Sequence, residues 1–146
     1  KYAGRQEYAA FFGKEMAWHL GRQILSWKVD ALVPVPLHPA RKRKRGYNQA
    51  ELLALEIGKQ LGLRVENNWL IRTKNTVPQK LLNGQERQNN LKKAFFIGTD
   101  VVKLKKVIVV DDVYTTGSTV DAVARELKEH GVGKVYFITL CIGEGI

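Results

Sequence analysis

The stretch KVIVVDDVYTTGST, residues 106–119, constrains the fold of this chain more than any other. Its apolar part shows no alternation between polar and apolar residues, which is typical of a strand that is covered on both faces. Two neighbouring acids, Asp111 and Asp112, follow this run at once, and a glycine surrounded by four hydroxyl residues comes next. We therefore expect a buried strand whose end carries two carboxylates and a glycine-containing turn.

A helix and a second strand are predicted directly after this turn. Gly131 is expected to stop the helix, and residues 134–142, KVYFITLCI, predict another buried strand. Part of the turn also fits plain helix capping, with Ser118 as the N-cap and Asp121 three positions later. Strand, helix and strand within about 35 residues predict a βαβ unit with parallel strands. The apolar stripe of the helix consists of Val120, Val123, Ala124 and Leu127.

The first half of the chain continues this α/β pattern. Residues 6–20 predict a helix, and a short apolar strand follows that must end near Pro34 and Pro36, because proline cannot donate to a strand ladder. A loop is predicted for Arg41–Arg45, and a second helix is predicted from Asn48 to a stop at Gly62. The apolar face of the first helix contains Tyr8, Phe11, Phe12, Met16 and Leu20, and that of the second contains Ala50, Leu53, Ala54, Ile57 and Leu61. The predicted fold class is α/β, a three-layer sandwich with a mainly parallel central sheet.

Length and composition limit the class of protein. With 146 residues, of which 45% are hydrophobic and 26% charged, the chain predicts one globular domain over residues 1–146. The single cysteine, Cys141, excludes an internal disulfide and a multi-cysteine zinc site within this span, and it predicts a reducing, cytoplasmic setting. Cys141 falls in a predicted buried strand, where inert packing is expected. No apolar run reaches the ~20 residues of a membrane span, and the missing initial methionine leads us to expect a piece of a longer protein.

The net charge of +10 is unevenly distributed and points to a polyanionic partner. Five consecutive cations, Arg41–Arg45, follow the first predicted strand. Residues 72–90 are polar, rich in Asn and Gln and poor in periodicity, so they predict a long mobile loop. Charge alone does not distinguish a polyphosphate ligand from nucleic acid.

The predicted strand end has the residue types for a sugar phosphate. In open parallel sheets, ligands bind beyond the carboxyl ends of the strands, where the next helix presents free N–H groups. Residues 115–119, TTGST, therefore predict a phosphate-binding turn. Carboxylates would repel that phosphate, so Asp111 and Asp112 are expected to accept hydrogen bonds from a vicinal diol of the same ligand. The sequence contains neither a P-loop nor a G-x-G-x-x-G motif, and too few residues follow Asp112 to complete a receiver domain.

The stretch VIVVDDVYTTGST resembles the phosphoribosyl diphosphate (PRPP) signature of type I phosphoribosyltransferases. Residues 33–54, VPVPLHPARKRKRGYNQAELLA, and residues 70–91, LIRTKNTVPQKLLNGQERQNNL, look like the ComF family of competence proteins, and more distantly like the transferase domain of amidophosphoribosyltransferases. The resemblance covers roughly residues 31 to 141 and implies a type I phosphoribosyltransferase fold. Members of the ComF family usually carry a zinc-binding segment upstream, and that segment is absent from this sequence.

The resemblance also implies roles for individual residues. Asp111 and Asp112 would hold the ribose hydroxyls as the catalytic acid pair, and Mg²⁺ would enter with the pyrophosphate, bound mostly through ligand oxygens and water. The ribose 5-phosphate would be bound by Val113, Tyr114, Thr115, Thr116, Gly117, Ser118 and Thr119. Pyrophosphate or DNA would be bound by Pro36, Leu37, His38, Arg41, Arg43, Arg45, Arg72, Lys74 and Arg87.

Two functions follow from the resemblance, and the sequence does not decide between them. In the first, the protein transfers phosphoribose from PRPP to an acceptor and releases pyrophosphate, in a setting linked to DNA uptake and natural transformation. In the second, the same fold is a non-catalytic module that binds single-stranded DNA or a DNA-uptake helicase, with Tyr47 as a stacking residue. The acceptor substrate and the oligomeric state stay open.

Overall fold

The computed structural model describes residues 3–73, 85, 94–98 and 104–144 of the chain. Within these residues the helices are α1 (Ala3–Ser26), α2 (Pro39–Arg45), α3 (Gln49–Leu61) and α4 (Ser118–Glu129). The strands are β1 (Ala31–Pro34), β2 (Leu70–Arg72), β3 (Phe95–Ile97), β4 (Lys106–Tyr114) and β5 (Lys134–Ile142).

The larger sheet is parallel and has the order β1–β4–β5. Strand β4 occupies the centre, with Ala31 of β1 opposite Val107 and Lys134 of β5 opposite Lys106. Strands β2 and β3 form a separate antiparallel pair, in which Leu70 lies opposite Ile97. The predicted βαβ unit, β4–α4–β5, is therefore confirmed.

Helices and the small sheet cover the two faces of β4. Ile108 and Val110 pack into a core that includes Leu53 and Ile57 of α3 and residues of α1. Val107 and Val109 pack into a second core, with Val123 and Leu127 of α4 and residues of β2 and β3. Because Val107–Val110 are all fully buried, the unbroken apolar run reflects burial on both faces. The three-layer α/β sandwich is confirmed.

Helix α3 has the predicted ends, whereas only part of the predicted apolar face of α1 packs against the core. The Asn48 side chain caps α3, and Gly62 ends it in the left-handed region at φ 68°. In α1, Tyr8 and Phe11 are exposed, whereas Met16 is buried as expected. Leu20 packs against the same core, and the small residues Ala9 and Ala17 are buried as well. A Cβ added at Gly13 would collide with Glu56 of α3, because it would lie 2.6 Å from the Cβ of that residue. Close approach of the two helices therefore selects the small residues for the interface.

The basic run is helical, so the predicted loop at Arg41–Arg45 is wrong. Pro39 is compatible with the first helical position, His38 accepts a hydrogen bond from the Ala40 N–H at 3.2 Å, and Gly46 ends the helix at φ 87°. The cations repel one another, but every one of them is exposed to water, which screens that repulsion. Arginine and lysine are also good helix formers. The helix therefore forms despite the run of like charges, because the residues at its two ends favour a helix start and a helix stop.

The two acids lie within β4 rather than at its end, because the strand continues to Tyr114. The predicted N-cap is also wrong: Gly117 occupies that position at φ 79°, and Ser118 is the first helical residue. A glycine is needed there because other residues rarely adopt this backbone conformation. The capping pattern of Ser118 and Asp121 is therefore one position out of register with the helix.

Strand β5 is less buried than predicted. Ile138 is its buried residue, whereas Phe137 is 40% exposed and Ile142 is 81% exposed. Cys141 is exposed, so its predicted packing in the core is wrong. Within the described residues, β5 pairs with β4 on one side and forms the border of the sheet. An apolar composition does not distinguish a border strand from a central one.

Part of the predicted loop at 72–90 lies outside the described residues, including Lys74 and Arg87. Arg72 itself belongs to β2 and is not in a loop. No helix in the described part of the chain is long and apolar enough to cross a membrane.

Candidate functional site

A cleft of about 290 Å³ opens where β1 and β4 lead into their following segments. Its walls come from five parts of the chain: the segment after β1, helix α2, the start of α3, strand β2, and β4 with the first turn of α4. The lining residues are Val35, Pro36, Leu37, Arg41, Arg45, Asn48, Gln49, Arg72, Asp111, Asp112, Val113, Thr115 and Thr119. The fold thus brings together acids, hydroxyls and cations that are far apart in the sequence.

The acid pair forms the polar part of β4 in this cleft. Burial raises the pKa of Asp111 to about 7, and the neighbouring Asp112 carboxylate adds to the rise. The Asp112 N–H donates to Oδ1 of Asp111 at 2.9 Å, which acts in the opposite direction and favours the charged form. The Asp111 carboxyl can therefore exchange a proton near neutral pH, and it can donate or accept a hydrogen bond there.

Arg72 brings a cation from β2 to the same cleft. Burial lowers the pKa of the Arg72 guanidinium, and Arg41 lowers it further, while Asp111 acts to raise it. The guanidinium also stands over the ring of Phe95, 5.3 Å from its centroid. Arg72 is thus held by its own sheet with a positive charge beside the acid pair.

The hydroxyl residues of the turn divide into two groups. Thr115 and Thr119 line the cleft, as does Val113. The Thr116 hydroxyl instead pairs with that of Ser118 at 2.8 Å, and neither residue is part of the lining.

Gly117 and Tyr114 shape the turn from outside the lining. A Cβ at Gly117 would lie 2.7 Å from the Tyr114 hydroxyl, so the tyrosine ring packs directly against the glycine. The same ring stacks on Phe137 of β5, with centroids 5.2 Å apart. Tyr114 thus supports the turn from the side of β5.

Helix α2 presents two of its five cations to the cleft. Arg41 and Arg45 are one helical turn apart and share a face, and both line the cleft. Arg43 is rotated by roughly 200° from Arg41 at 3.6 residues per turn and is absent from the lining. Lys42 approaches Glu51 of α3, with Nζ 3.3 Å from Oε2. The helical geometry therefore divides the five consecutive cations into residues that line the cleft and residues that do not.

The segment between β1 and α2 contributes Pro36 and Leu37 to the lining, as expected, but not His38. The His38 ring faces its own helix start, where Nδ1 accepts from the Ala40 N–H. Tyr47, proposed as a base-stacking residue, is only 6% exposed, so its ring is not available for stacking on a base.

Asn48 and Gln49 line the cleft but were not predicted as site residues. Asn48 was assigned only to the start of a helix, and its sequence signal is that of an ordinary N-cap. The signal that could have identified both is the position of a helix start directly after a basic segment. Helix starts present free N–H groups, which favour anions.

The carboxylates of the cleft are too few to hold a metal ion alone, but they suit an ion that is bound mainly by oxygens of a ligand and of water. Among the described residues, no group of three or more His, Cys, Asp or Glu side chains could hold a metal ion. The cleft itself offers the carboxylates of Asp111 and Asp112. This set fits Mg²⁺, which commonly binds through one or two carboxylates together with phosphate oxygens and water.

Comparison with known proteins agrees with the fold. The phosphoribosyl transferase domain family matches residues 12–144. A purine phosphoribosyltransferase from Pyrococcus horikoshii Ot3 has a similar structure, with a TM-score of 0.54 and 18% identity over 90% of this chain and 73% of that protein. The chain belongs to the phosphoribosyl transferase domain family, with the type I fold of that class.

Proteins of similar sequence show which branch of this family the chain resembles. Competence protein F of Haemophilus influenzae is 38% identical over 73% of this chain and 47% of its own length. DNA utilization protein YhgH of Escherichia coli K12 is 37% identical over 97% of this chain and 63% of its own length. Competence protein ComFC of Streptococcus pneumoniae is 32% identical over 87% of this chain and 54% of its own length. The ComF resemblance is confirmed, and the chain spans about half to two thirds of the length of these relatives.

Proposed function

We propose that this protein binds PRPP and transfers its phosphoribosyl group to an acceptor, with release of pyrophosphate. The observation that carries this proposal is the composition of one cleft, in which the acid pair, two hydroxyls and three arginines meet. A volume of about 290 Å³ is near the lower end of the range for small-ligand sites. Each part of PRPP has a chemical counterpart in the lining.

The ribose and its 5-phosphate correspond to β4 and the turn after it. Asp111 and Asp112 can accept hydrogen bonds from the vicinal hydroxyls of the ribose. Thr115 and Thr119 can donate to the 5-phosphate, and the start of α4 adds its free N–H groups. The carboxylates are thereby assigned to the neutral hydroxyls rather than to the phosphate, which avoids repulsion between like charges.

The pyrophosphate corresponds to the basic side of the cleft. Arg41 and Arg45 come from α2 and Arg72 from β2, so two elements converge on one region. Guanidinium groups bind phosphate oxygens in a bidentate manner, which makes arginine suitable for a leaving pyrophosphate. Mg²⁺, held mostly by the pyrophosphate oxygens, would neutralise charge that develops on the leaving group.

In the proposed reaction, a nucleophile on the acceptor forms a bond to the anomeric carbon as the bond from that carbon to the pyrophosphate oxygen breaks. The electron pair of the broken bond leaves with pyrophosphate, and positive charge develops on the sugar ring. Asp111 and Asp112 are close enough to the ribose in this placement to offset that charge. The arginines stabilise the negative charge on the leaving group at the same time.

The test is binding and turnover with the full chain. Calorimetry with PRPP and Mg²⁺ should give saturable binding, and Asp112→Asn should abolish PRPP-dependent release of pyrophosphate while the protein stays folded. Glu7→Gln, the same acid-to-amide change at an exposed position of α1 outside the cleft lining, is the control and should behave as wild type. If wild-type protein releases no pyrophosphate with any purine, pyrimidine or amine acceptor, transferase activity is excluded and only binding stands.

A second candidate function is binding of single-stranded DNA, and the geometry of α2 favours it. Arg43 and Lys44 are exposed and lie outside the cleft lining, so they can contact a polyanion while Arg41 and Arg45 hold pyrophosphate. The names of the relatives, a DNA utilization protein and two competence proteins, suggest that this protein also acts in DNA uptake. The two functions then use different faces of one helix and need not compete for the same cations.

A further inference from the structure

Asn48 connects the two sides of the candidate cleft. It is the buried polar residue of the described chain, with 6% of its surface exposed, and it lies in the cleft lining at the start of α3. A buried amide side chain is costly unless its hydrogen bonds are satisfied. The bonds that satisfy it therefore show which parts of the structure it holds together.

The two ends of the Asn48 amide reach different segments. Its Nδ2–H donates to the carbonyl oxygen of Val35 at 2.9 Å, across 13 residues of chain. Its Oδ1 accepts from the N–H of Ala50 at 3.2 Å, which caps α3. One side chain thus connects the segment after β1 to the start of a helix packed against the sheet.

The segment held by Asn48 leads directly to the arginines of the cleft. The Val35 N–H donates to the carbonyl oxygen of Val110 at 2.9 Å, so the same residue is joined to β4 immediately before Asp111. Val35 continues through Pro36 and Leu37 into α2, which carries Arg41 and Arg45. Release of the Val35 carbonyl would therefore loosen the path that places these arginines opposite the acid pair.

From this geometry we infer that Asn48 is a positioning residue, which fixes the pyrophosphate side of the cleft relative to the ribose side. It acts through the Val35 carbonyl, and its cap on α3 is a separate role. The inference rests on the proposed function, because it assigns the basic side of the cleft to pyrophosphate. It predicts an asymmetric effect, since the hydrogen bonds of the Asn48 side chain go to Val35 and Ala50 and not to the residues of β4 or α4 on the ribose 5-phosphate side.

Asn48→Ser separates the two roles of this side chain. Serine is a good N-cap, so the bond from the Ala50 N–H is kept. Its single short hydroxyl does not span both partners, so the bond to the Val35 carbonyl is lost. Calorimetry on the full chain should show roughly tenfold weaker binding of magnesium pyrophosphate, the change expected for one buried bond. Ribose 5-phosphate affinity should change by less than about twofold, because no bond on that side is altered.

Controls distinguish this inference from a purely structural role and from failure of the proposed function. Asn68→Ser, at an exposed asparagine outside the cleft lining, should leave both affinities and the melting temperature unchanged. Equal loss of both affinities in Asn48→Ser, or no loss of either, would overturn the inference. Wild-type protein that binds neither ligand would instead overturn the proposed function.

Asn48→Thr provides a second test if the serine variant does not fold. Threonine also caps helices and also lacks a donor that reaches Val35. A folded threonine variant with selective loss of pyrophosphate binding supports the inference. Loss of folding in both variants would assign Asn48 a structural role and overturn the inference.

Discussion

Asp111 of β4 and Arg72 of β2 line the same cleft from different sheets, and each favours the charged form of the other. Burial acts against both charges: it lowers the pKa of Arg72 and, as the main cause, raises that of Asp111 to about 7. The cleft therefore contains a carboxyl group that costs stability and a cation that reduces that cost. Such an arrangement is typical of a site kept for function rather than for folding.

Replacing Asp111 with asparagine should stabilise the protein at alkaline pH. The folded-state pKa of about 7 lies above the ordinary value of 3.8, so the folded state binds the proton more tightly than the unfolded state. The stability of the wild type should consequently fall as pH rises from 3.8 to about 7 and then level off. Asp111→Asn removes this loss of stability. Its free energy of unfolding should exceed that of the wild type by on the order of 2 kcal/mol near pH 8 and differ little from it near pH 4.

Melting temperatures of the two proteins across this pH range provide the measurement. Asp30→Asn is a useful contrast, because hydrogen bonds from the N–H groups of Lys106 and Lys105 lower the pKa of Asp30. That carboxylate contributes stability above its ordinary pKa of 3.8 and loses it as pH falls through its lower folded-state value. Its removal should thus destabilise the protein at neutral pH. If the melting temperatures of Asp111→Asn and wild type changed with pH in the same way, the assignment of a raised pKa to Asp111 would be contradicted.

Replacing Arg72 with glutamine should raise the pKa of Asp111 further. The guanidinium favours the ionised carboxyl, and the neutral amide does not. The same change removes a cation from the pyrophosphate side, so magnesium pyrophosphate should bind roughly tenfold more weakly. The carboxyl titration is measured by carbon-detected NMR on labelled aspartate, with Asp111→Asn used to assign the signal. An Asp111 pKa that stays the same or falls in Arg72→Gln would show that the two groups do not interact.

Arg45→Gln and Arg43→Gln form a matched pair on one helix. Because Arg45 lines the cleft, its loss should weaken pyrophosphate binding roughly tenfold and leave the salt dependence of DNA binding largely intact. Because Arg43 lies outside the lining, its loss should reduce the salt slope of single-stranded DNA binding by about 1 and leave pyrophosphate binding intact. Calorimetry and fluorescence anisotropy measure the two ligands. Equal effects of both substitutions on both ligands would mean that α2 does not separate two binding faces.

Gly117→Ala should destabilise the protein more than Gly131→Ala does. Both glycines have positive φ, 79° and 99°, so an alanine at either position meets a similar backbone cost of roughly 1 kcal/mol. At Gly131 a Cβ has no heavy atom within 4 Å, whereas at Gly117 it would lie 2.7 Å from the Tyr114 hydroxyl. Urea denaturation measures the loss of unfolding free energy in each variant. The amount by which Gly117→Ala loses more than Gly131→Ala is the cost of the contact with Tyr114. Equal losses at the two sites would show that the tyrosine moves away freely.

The order of elements along the described chain was largely readable from the sequence, because it depends on local signals. The unbroken run at Val107–Val110 predicts a doubly covered strand, and Asn48 and Gly62 predict the ends of a helix. The acid pair and the TTGST turn could likewise be recognised as one candidate site, since residues 111–119 span only nine positions of the chain. These features need only the periodicity of the chain and the chemistry of neighbouring side chains.

Other features depend on partners that are distant in the sequence, and only the tertiary structure decided them. The exposed face of α1 follows from how closely Gly13 approaches α3, and the partial exposure of β5 follows from its place at the border of the sheet. Arg41 and Arg45 line the cleft and Arg43 does not, because α2 is a helix that lies beside the cleft. The pKa of Asp111 is raised because the folded chain buries this carboxyl next to Asp112. The sequence by itself thus determined that acids and hydroxyl residues follow one another from β4 into α4. The packing of separate segments decided which cations line the cleft beside the acids, because contact and burial are properties of the folded chain.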